Sequence, residues 1–144
     1  MRDESALVDT NILVYAYDNS NIEKKEKSRK LMEKCWNSEI SLAVSLQNLS
    51  ELYVTITKKI TNPLDKENST KIVKQFIDFN NWKKLIIKPR TIIKSMEISQ
   101  KYNVDYWDSL IAATMIENNV SVIYTENTKD FNKIKEIKAV NPLK

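Results

Sequence analysis

The sequence predicts an α/β fold in which a mainly parallel sheet is covered by helices on both faces. Three observations carry the prediction. Short apolar runs of strand character alternate with amphipathic segments of helical period, the pattern of successive βαβ units. The runs are apolar enough to be buried on both sides, as parallel strands are. The chain has 144 residues, which fits one domain spanning 1–144 with a proper core.

The elements follow in order. Ala6-Leu7-Val8-Asp9 reads as a short buried strand, and Thr10-Asn11 with Ile12 to Tyr17 as a helix behind it. Residues 22–37 are highly charged but place Leu31, Met32, Cys35 and Trp36 at helical spacing. Glu39 to Val44 is the second strand. Ser45 caps a helix running to about Ile60, with Leu46, Leu49, Tyr53, Ile56 and Ile60 on one face. Pro63 stops it. Asp65 to Phe79 is another amphipathic helix, and Lys84 to Lys88 a third strand around Leu85-Ile86-Ile87. Residues 90–102 form a helix carrying Ile92, Ile93, Met96 and Ile98. Asp105 caps the next helix, which ends near Asn118-Asn119. Ser121 to Tyr124 and Ile137 to Val140 are the last strands.

Composition removes several chemistries. The chain has no histidine, which excludes imidazole acid–base catalysis, Ser-His-Asp triads and His-ligated zinc. It has no glycine, so no P-loop and no dinucleotide fingerprint; its turns depend on Asn, Asp, Ser and Pro. Cys35 is the single cysteine, so no disulfide framework exists. No apolar run is long enough to span a membrane. The segment from Met1 to Ser5 lacks the basic and apolar regions of a signal peptide, so a cytoplasmic protein is expected. The net charge of +4 suits an anionic partner and equally an ordinary surface.

Chemistry therefore falls to carboxylates, hydroxyls, amides, lysines and a bound metal. Asp108 stands out: within Tyr106-Trp107-Asp108-Ser109-Leu110-Ile111-Ala112-Ala113 its neighbours on the helical wheel are Ile111, Ala112 and Met115. A carboxylate among apolar groups needs a proton, a hydrogen bond or a cation. Asp105 is the better-placed cap, so capping does not account for it. In open parallel sheets, ligands bind beyond the carboxyl ends of the strands. Asp9 ends the first strand; Thr125, Glu126, Asn127 and Asp130 follow the strand at 121–124. Asp9 reads as helix cap or site residue with equal weight. Glu51 falls on a polar stripe with Gln47, Asn48, Thr55 and Lys58 and reads as a solvated surface acid. Asp130 reads as a turn cap and Thr125 as a loop hydroxyl. Trp36, Trp82 and Trp107 read as packing residues rather than base-stacking platforms.

Four segments resemble, in order, those of PIN-domain nucleases, most nearly VapC-like toxins of toxin–antitoxin pairs. Ala6-Leu7-Val8-Asp9-Thr10-Asn11-Ile12-Leu13 resembles their opening strand. Val44-Ser45 through Glu51-Leu52-Tyr53 resembles the helix with their second acid. Tyr106 to Ala113 is similar to the helix with their third. Tyr124-Thr125-Glu126-Asn127-Thr128-Lys129-Asp130-Phe131 is similar to their closing motif. The resemblance implies a PIN-like three-layer α/β/α fold and a ribonuclease dependent on Mg²⁺ or Mn²⁺. It makes Asp9 and Asp108 the principal metal ligands. Glu51 would bind the metal through water or orient the attacking water. Thr125 would support the pocket, and Asn11 would hold Asp9. Many relatives carry a fourth acid where this chain has Asn127; the resemblance then moves that role to Asp130. An RNA substrate, an antitoxin and a homodimer are the implied partners.

The physical account runs alongside. Hard divalent cations prefer oxygen ligands and reverse the mutual repulsion of clustered carboxylates. An acidic pocket repels RNA, so nearby lysines must attract it; Lys58, Lys59, Lys129 and Lys133 are the candidates by position. Two other readings stay open. Asn127 is compatible with a catalytically weak module of the same fold that binds RNA or protein. A phospho-acceptor receiver domain also clusters acids at strand ends, but it places them on loops, whereas Glu51 and Asp108 fall within predicted helices.

Overall fold

The computed structural model describes residues 3–144. Five strands form one all-parallel sheet: β1 (Asp3–Val8), β2 (Leu42–Ser45), β3 (Trp82–Leu85), β4 (Val120–Tyr124) and β5 (Lys138–Val140), in the spatial order β3-β2-β1-β4-β5. Helices α1 (Thr10–Tyr15), α2 (Ile22–Trp36), α3 (Leu46–Val54), α4 (Lys66–Asp78), α5 (Pro89–Tyr102), α6 (Tyr106–Glu117) and the short α7 (Thr128–Phe131) connect them. Met1 and Arg2, part of the segment read above for a leader, lie outside the described residues.

Alternation along β1 sets the layers. Ala6 and Val8 face one core, where Leu42, Val44, Ile12, Leu13, Met32, Leu52 and Phe76 pack. Leu7 faces the other, with Ala43, Ile123, Ile98, Ala112, Met115 and Phe131. Trp36 and Trp82 join Phe76 in an aromatic cluster, with Trp82 fully buried, as their packing role required.

The sheet order positions the site. The chain leaves β1 towards β2 and β3, then returns across the sheet to β4 and β5. The carboxyl ends of β1 and β4 therefore flank the point where the winding reverses, the place where open α/β sheets form a crevice. Asp9 and Thr125 are the first residues past those two ends.

Several boundaries differ from the sequence expectation. The second strand begins at Leu42 rather than Glu39, because the Asn81 side chain holds the preceding segment instead of a strand neighbour. Asn81 Nδ2 donates to Ile40 O at 2.7 Å and to Cys35 O at 2.9 Å. The third strand sits earlier than 84–88: its register pairs Trp82 with Leu42 and Leu85 with Ser45, leaving Ile86 exposed. Helix α3 ends at Val54 and widens into one π-helical turn over Thr55–Lys59, short of Ile60. Thr57 Oγ1 donates to Tyr53 O at 2.7 Å, competing for a backbone acceptor at that point. Leu46, expected on the buried face of α3, is exposed, and so are Ile92, Ile93 and Met96 of α5. Without glycine, Ser38, Asn103 and Asn119 take the positive-φ positions.

Candidate active site

Asp9 follows the last residue of β1 and caps α1, as its cap reading expected. Oδ1 accepts from the Thr10 backbone N–H at 2.8 Å. Oδ2 accepts from Thr125 Oγ1 at 2.7 Å and from Asn11 Nδ2 at 3.3 Å. The side chain is only 7 % exposed. Burial pushes its pKa up, and the bonds from Thr125, Thr10 and Asn11 oppose that by favouring the ionised form.

Thr125, fully buried at the end of β4, uses its whole hydrogen-bonding capacity. It donates to Asp9, and it accepts from Asn11 Nδ2 at 3.3 Å and from the Asn127 backbone N–H at 3.0 Å. Asn11 Oδ1 accepts in turn from the Glu126 backbone N–H at 3.3 Å. The loops after β1 and β4 are thereby tied into one unit.

Asn48 is a residue that the sequence reading assigned to a polar stripe; the structure buries it completely. Its Oδ1 closes a capping box with Ser45, and its Nδ2 donates to Thr10 Oγ1 at 3.0 Å and to Asp9 Oδ1 at 3.5 Å. The signal was present as Ser45-x-x-Asn48, a capping-box spacing with Asn in the acceptor position. Thr10 passes the connection on, donating from Oγ1 to Glu51 Oε1 at 3.0 Å. Glu51 is solvent-exposed, as expected, and its side chain also reaches the start of α1. Burial of the carboxyl pushes its pKa up, with Asp9 adding to the effect, while Thr10, Gln47 and Lys59 oppose it.

Asp108 lies in the first turn of α6, behind the Asp105 cap. Its pKa is pushed up to about 6, first by burial and then by the negative charges of Asp9, Asp105, Asp130 and Glu51. Asn127 Nδ2 donates to its Oδ2 at 3.0 Å.

Asp9, Glu51 and Asp108 thus line one cleft of about 430 Å³, with Thr10, Asn11, Tyr15, Gln47, Thr55, Trp107 and Asn127. Two wider clefts, of about 660 and 790 Å³, lie against α4 with mainly apolar linings and no carboxylate cluster. Asp130 does not line the acidic cleft. It pairs with Lys133 at 3.3 Å, and its charge reaches Asp108 from α7. Glu126 turns away to Lys24 Nζ at 2.8 Å and the Tyr15 hydroxyl at 2.6 Å. Against burial, which pushes it up, these two partners hold its carboxyl below the usual range.

Among the described residues no three acids converge into a ready metal cage. The donor set still suits a hard cation. Mg²⁺ keeps several waters and binds through one or two carboxylates plus substrate oxygens, rather than in an all-protein cage. Asp9 and Asp108, lining the same cleft, offer such a pair of carboxylates.

The sequence matches the PIN domain over residues 6–137. The chain belongs to the PIN-domain family. Solved PIN-fold structures superpose along nearly all of it. A toxin–antitoxin complex from Klebsiella pneumoniae matches with a TM-score of 0.67 and 24% identity, over 96% of this chain and 98% of that one. DNA-bound VapBC from Salmonella typhimurium matches with a TM-score of 0.68 and 20% identity, over 99% of both chains. Mycobacterium tuberculosis VapC20, described as a sarcin-ricin loop cleaving toxin, gives 0.67 and 11%, over 87% of this chain and 92% of that one. No curated protein sequence matches the chain. The three-layer architecture expected from the sequence is therefore the PIN fold, and no helix of the described residues is long and apolar enough to cross a membrane.

Proposed function

We propose that this PIN domain, working as one unit along the chain, is a metal-dependent endoribonuclease and the toxin of a toxin–antitoxin pair in the cytoplasm. The observation that carries the reading is the convergence of Asp9, Glu51 and Asp108 on one cleft at the reversal point of the sheet. With no histidine in the chain, a carboxylate–metal site is the most economical route to phosphodiester hydrolysis.

Asp9 and Asp108 would hold Mg²⁺ or Mn²⁺ through carboxylate oxygens, with Asp130 contributing charge from behind. When bound, the cation supplies polarisation of the phosphate, a more acidic water and stabilisation of the leaving oxygen. Thr125, Asn11, Asn48 and the Thr10 backbone hold the Asp9 carboxylate in a single orientation. Glu51, anchored by Thr10, is the acceptor for the proton of the attacking water, and its raised pKa moves it towards the range where a base works best. Water oxygen attacks phosphorus as its proton passes to Glu51, the bond from phosphorus to the leaving sugar oxygen breaks, and that oxygen takes a proton from solvent. Lys58, Lys59 and Lys129 would attract the RNA backbone, Lys59 from beside Glu51, whereas Lys133 is engaged with Asp130.

The antitoxin and homodimer rest on a different observation. Leu46, Val54 and Ile77 are exposed along the groove of about 790 Å³ between α3 and α4, and Ile92, Ile93 and Met96 are exposed on α5. The similar structure from Klebsiella is itself a toxin–antitoxin complex, and the one from Salmonella is a DNA-bound VapBC.

The test is cleavage of labelled RNA by purified protein with Mg²⁺ or Mn²⁺, its loss with EDTA, and its loss in Asp108→Asn while the fold is retained. Cleavage by Asp108→Asn at the parent rate would refute the assignment.

A further inference from the structure

Trp107 precedes Asp108 and lines the same cleft, yet it is 61 % exposed, the most exposed of the large hydrophobic side chains described. Such exposure leaves a large apolar ring in water, where a binding partner would recover its burial. The ring is nevertheless held. Tyr106 packs against it at 5.2 Å with the planes at 76°, and Gln47 Nε2 donates to the Trp107 carbonyl at 3.2 Å. The Gln47 bond ties the main chain at Trp107 to α3, the helix that carries Glu51. Tyr15, the other aromatic residue at the rim, is engaged: Lys24 lies 4.8 Å from its ring centre, and its hydroxyl bonds Glu126.

On the nuclease reading above, we propose that Trp107 is a stacking platform for an unpaired nucleobase next to the scissile phosphate. The charge of the cleft favours this occupant. Asp9, Glu51 and Asp108 repel a phosphate backbone, so a contact that does not depend on phosphate charge adds affinity close to the cut beside what a cation and the outer lysines supply. Stacking of a base on an indole is such a contact, and it tolerates any base because each has a π-face. The contact also selects single-stranded or looped RNA, since a paired base within a helix cannot present its face. Trp107 is a binding and positioning residue; the carboxylates do the chemistry.

The test compares a labelled RNA of about twelve nucleotides with an abasic ribose-phosphate chain of equal length, which keeps the phosphates and removes the bases. Binding is read by anisotropy with Ca²⁺ in place of Mg²⁺, so no cleavage is needed. Wild type should bind the intact RNA about ten-fold tighter than the abasic chain. Trp107→Ala should melt with wild type yet lose most of that preference, while Trp107→Phe keeps most of it. In the cleavage assay Trp107→Ala should raise KM more than it lowers kcat. The proposal is overturned if Trp107→Ala keeps the wild-type preference, if wild type shows none, or if the substitution weakens only the binding of a partner protein. A wild type that prefers intact RNA but cuts nothing with Mg²⁺ or Mn²⁺ would refute the nuclease reading and support the stacking role.

Discussion

Asn127 donates from its side-chain amide to Asp108, Nδ2 to Oδ2 at 3.0 Å. A neutral donor therefore stands where an acid would have added a further negative charge to Asp108, which already carries the influence of four carboxylates. The bond favours the ionised form of Asp108 and orients it before any cation arrives.

Replacing that amide by an acid should have opposite effects with and without metal. In Asn127→Asp the pKa of Asp108 should rise beyond about 6 in metal-free protein, because a donor is lost and a like charge gained. Mn²⁺ affinity should increase, because the cation gains an oxygen ligand. Carboxyl NMR titration and calorimetry read the two effects. Weaker Mn²⁺ binding in this variant would mean that the amide itself is needed at the metal.

The raised pKa of Asp108 also gives a sign to pH dependence. Between its ordinary value of 3.8 and about 6, the folded metal-free chain holds a proton that the unfolded chain has released. This contribution to stability is present at low pH and is lost as pH rises through about 6. A divalent cation needs the ionised form, so protons compete with it below that value. The rise in Tm on adding Mg²⁺ should be small near pH 5 and grow towards pH 7, as followed by calorimetry. A gain that is flat across this range would separate Asp108 from the cation.

Thr125 should act through Asp9. In Thr125→Val the buried carboxylate loses its shortest side-chain bond, 2.7 Å, and the Asn127 backbone N–H loses its acceptor. Stability at neutral pH should fall by about 1–3 kcal/mol in urea unfolding. Thr125→Ser, which retains the hydroxyl, should recover most of it. A valine variant as stable as the parent would show that the hydroxyl contributes nothing net.

Glu51→Gln keeps the shape and the contact with Thr10 but removes the proton acceptor. Cleavage should fall by about a hundred-fold or more in kcat, with RNA binding little changed. Mn²⁺ binding distinguishes the roles left open for this residue: unchanged affinity supports a base, and a large loss supports a ligand.

How far the site could be read from the sequence depended on how local each cause was. Asp108 was identifiable because its conflict lies within one helix, a carboxylate beside Ile111, Ala112 and Met115. Asp9 was only half identifiable, since a cap and a site residue look alike until the opposite loop brings Thr125 to its other oxygen. Glu51 was read as a surface acid and is exposed, but helical period cannot say that it also accepts from Thr10 across the cleft. Asn48 was misplaced for the same reason. Trp107 was expected as a core or helix-packing residue and is largely exposed, because hydrophobicity predicts burial on average and says nothing of a ring at a cleft rim.

By itself the sequence determined the alternation of strands and helices, the single α/β architecture, the exclusion of imidazole and P-loop chemistry, and a costly charge on α6. These follow from local periodicity and from which side chains are present at all. Only the tertiary structure decided that β1 lies beside β4, so that residues 116 positions apart, Asp9 and Thr125, share a hydrogen bond. It also decided that α3 and α6 turn Glu51 and Asp108 onto the same cleft. The physical reason is that burial and electrostatic environment belong to the assembled sheet and its crossovers, which bring together groups that no window of sequence contains.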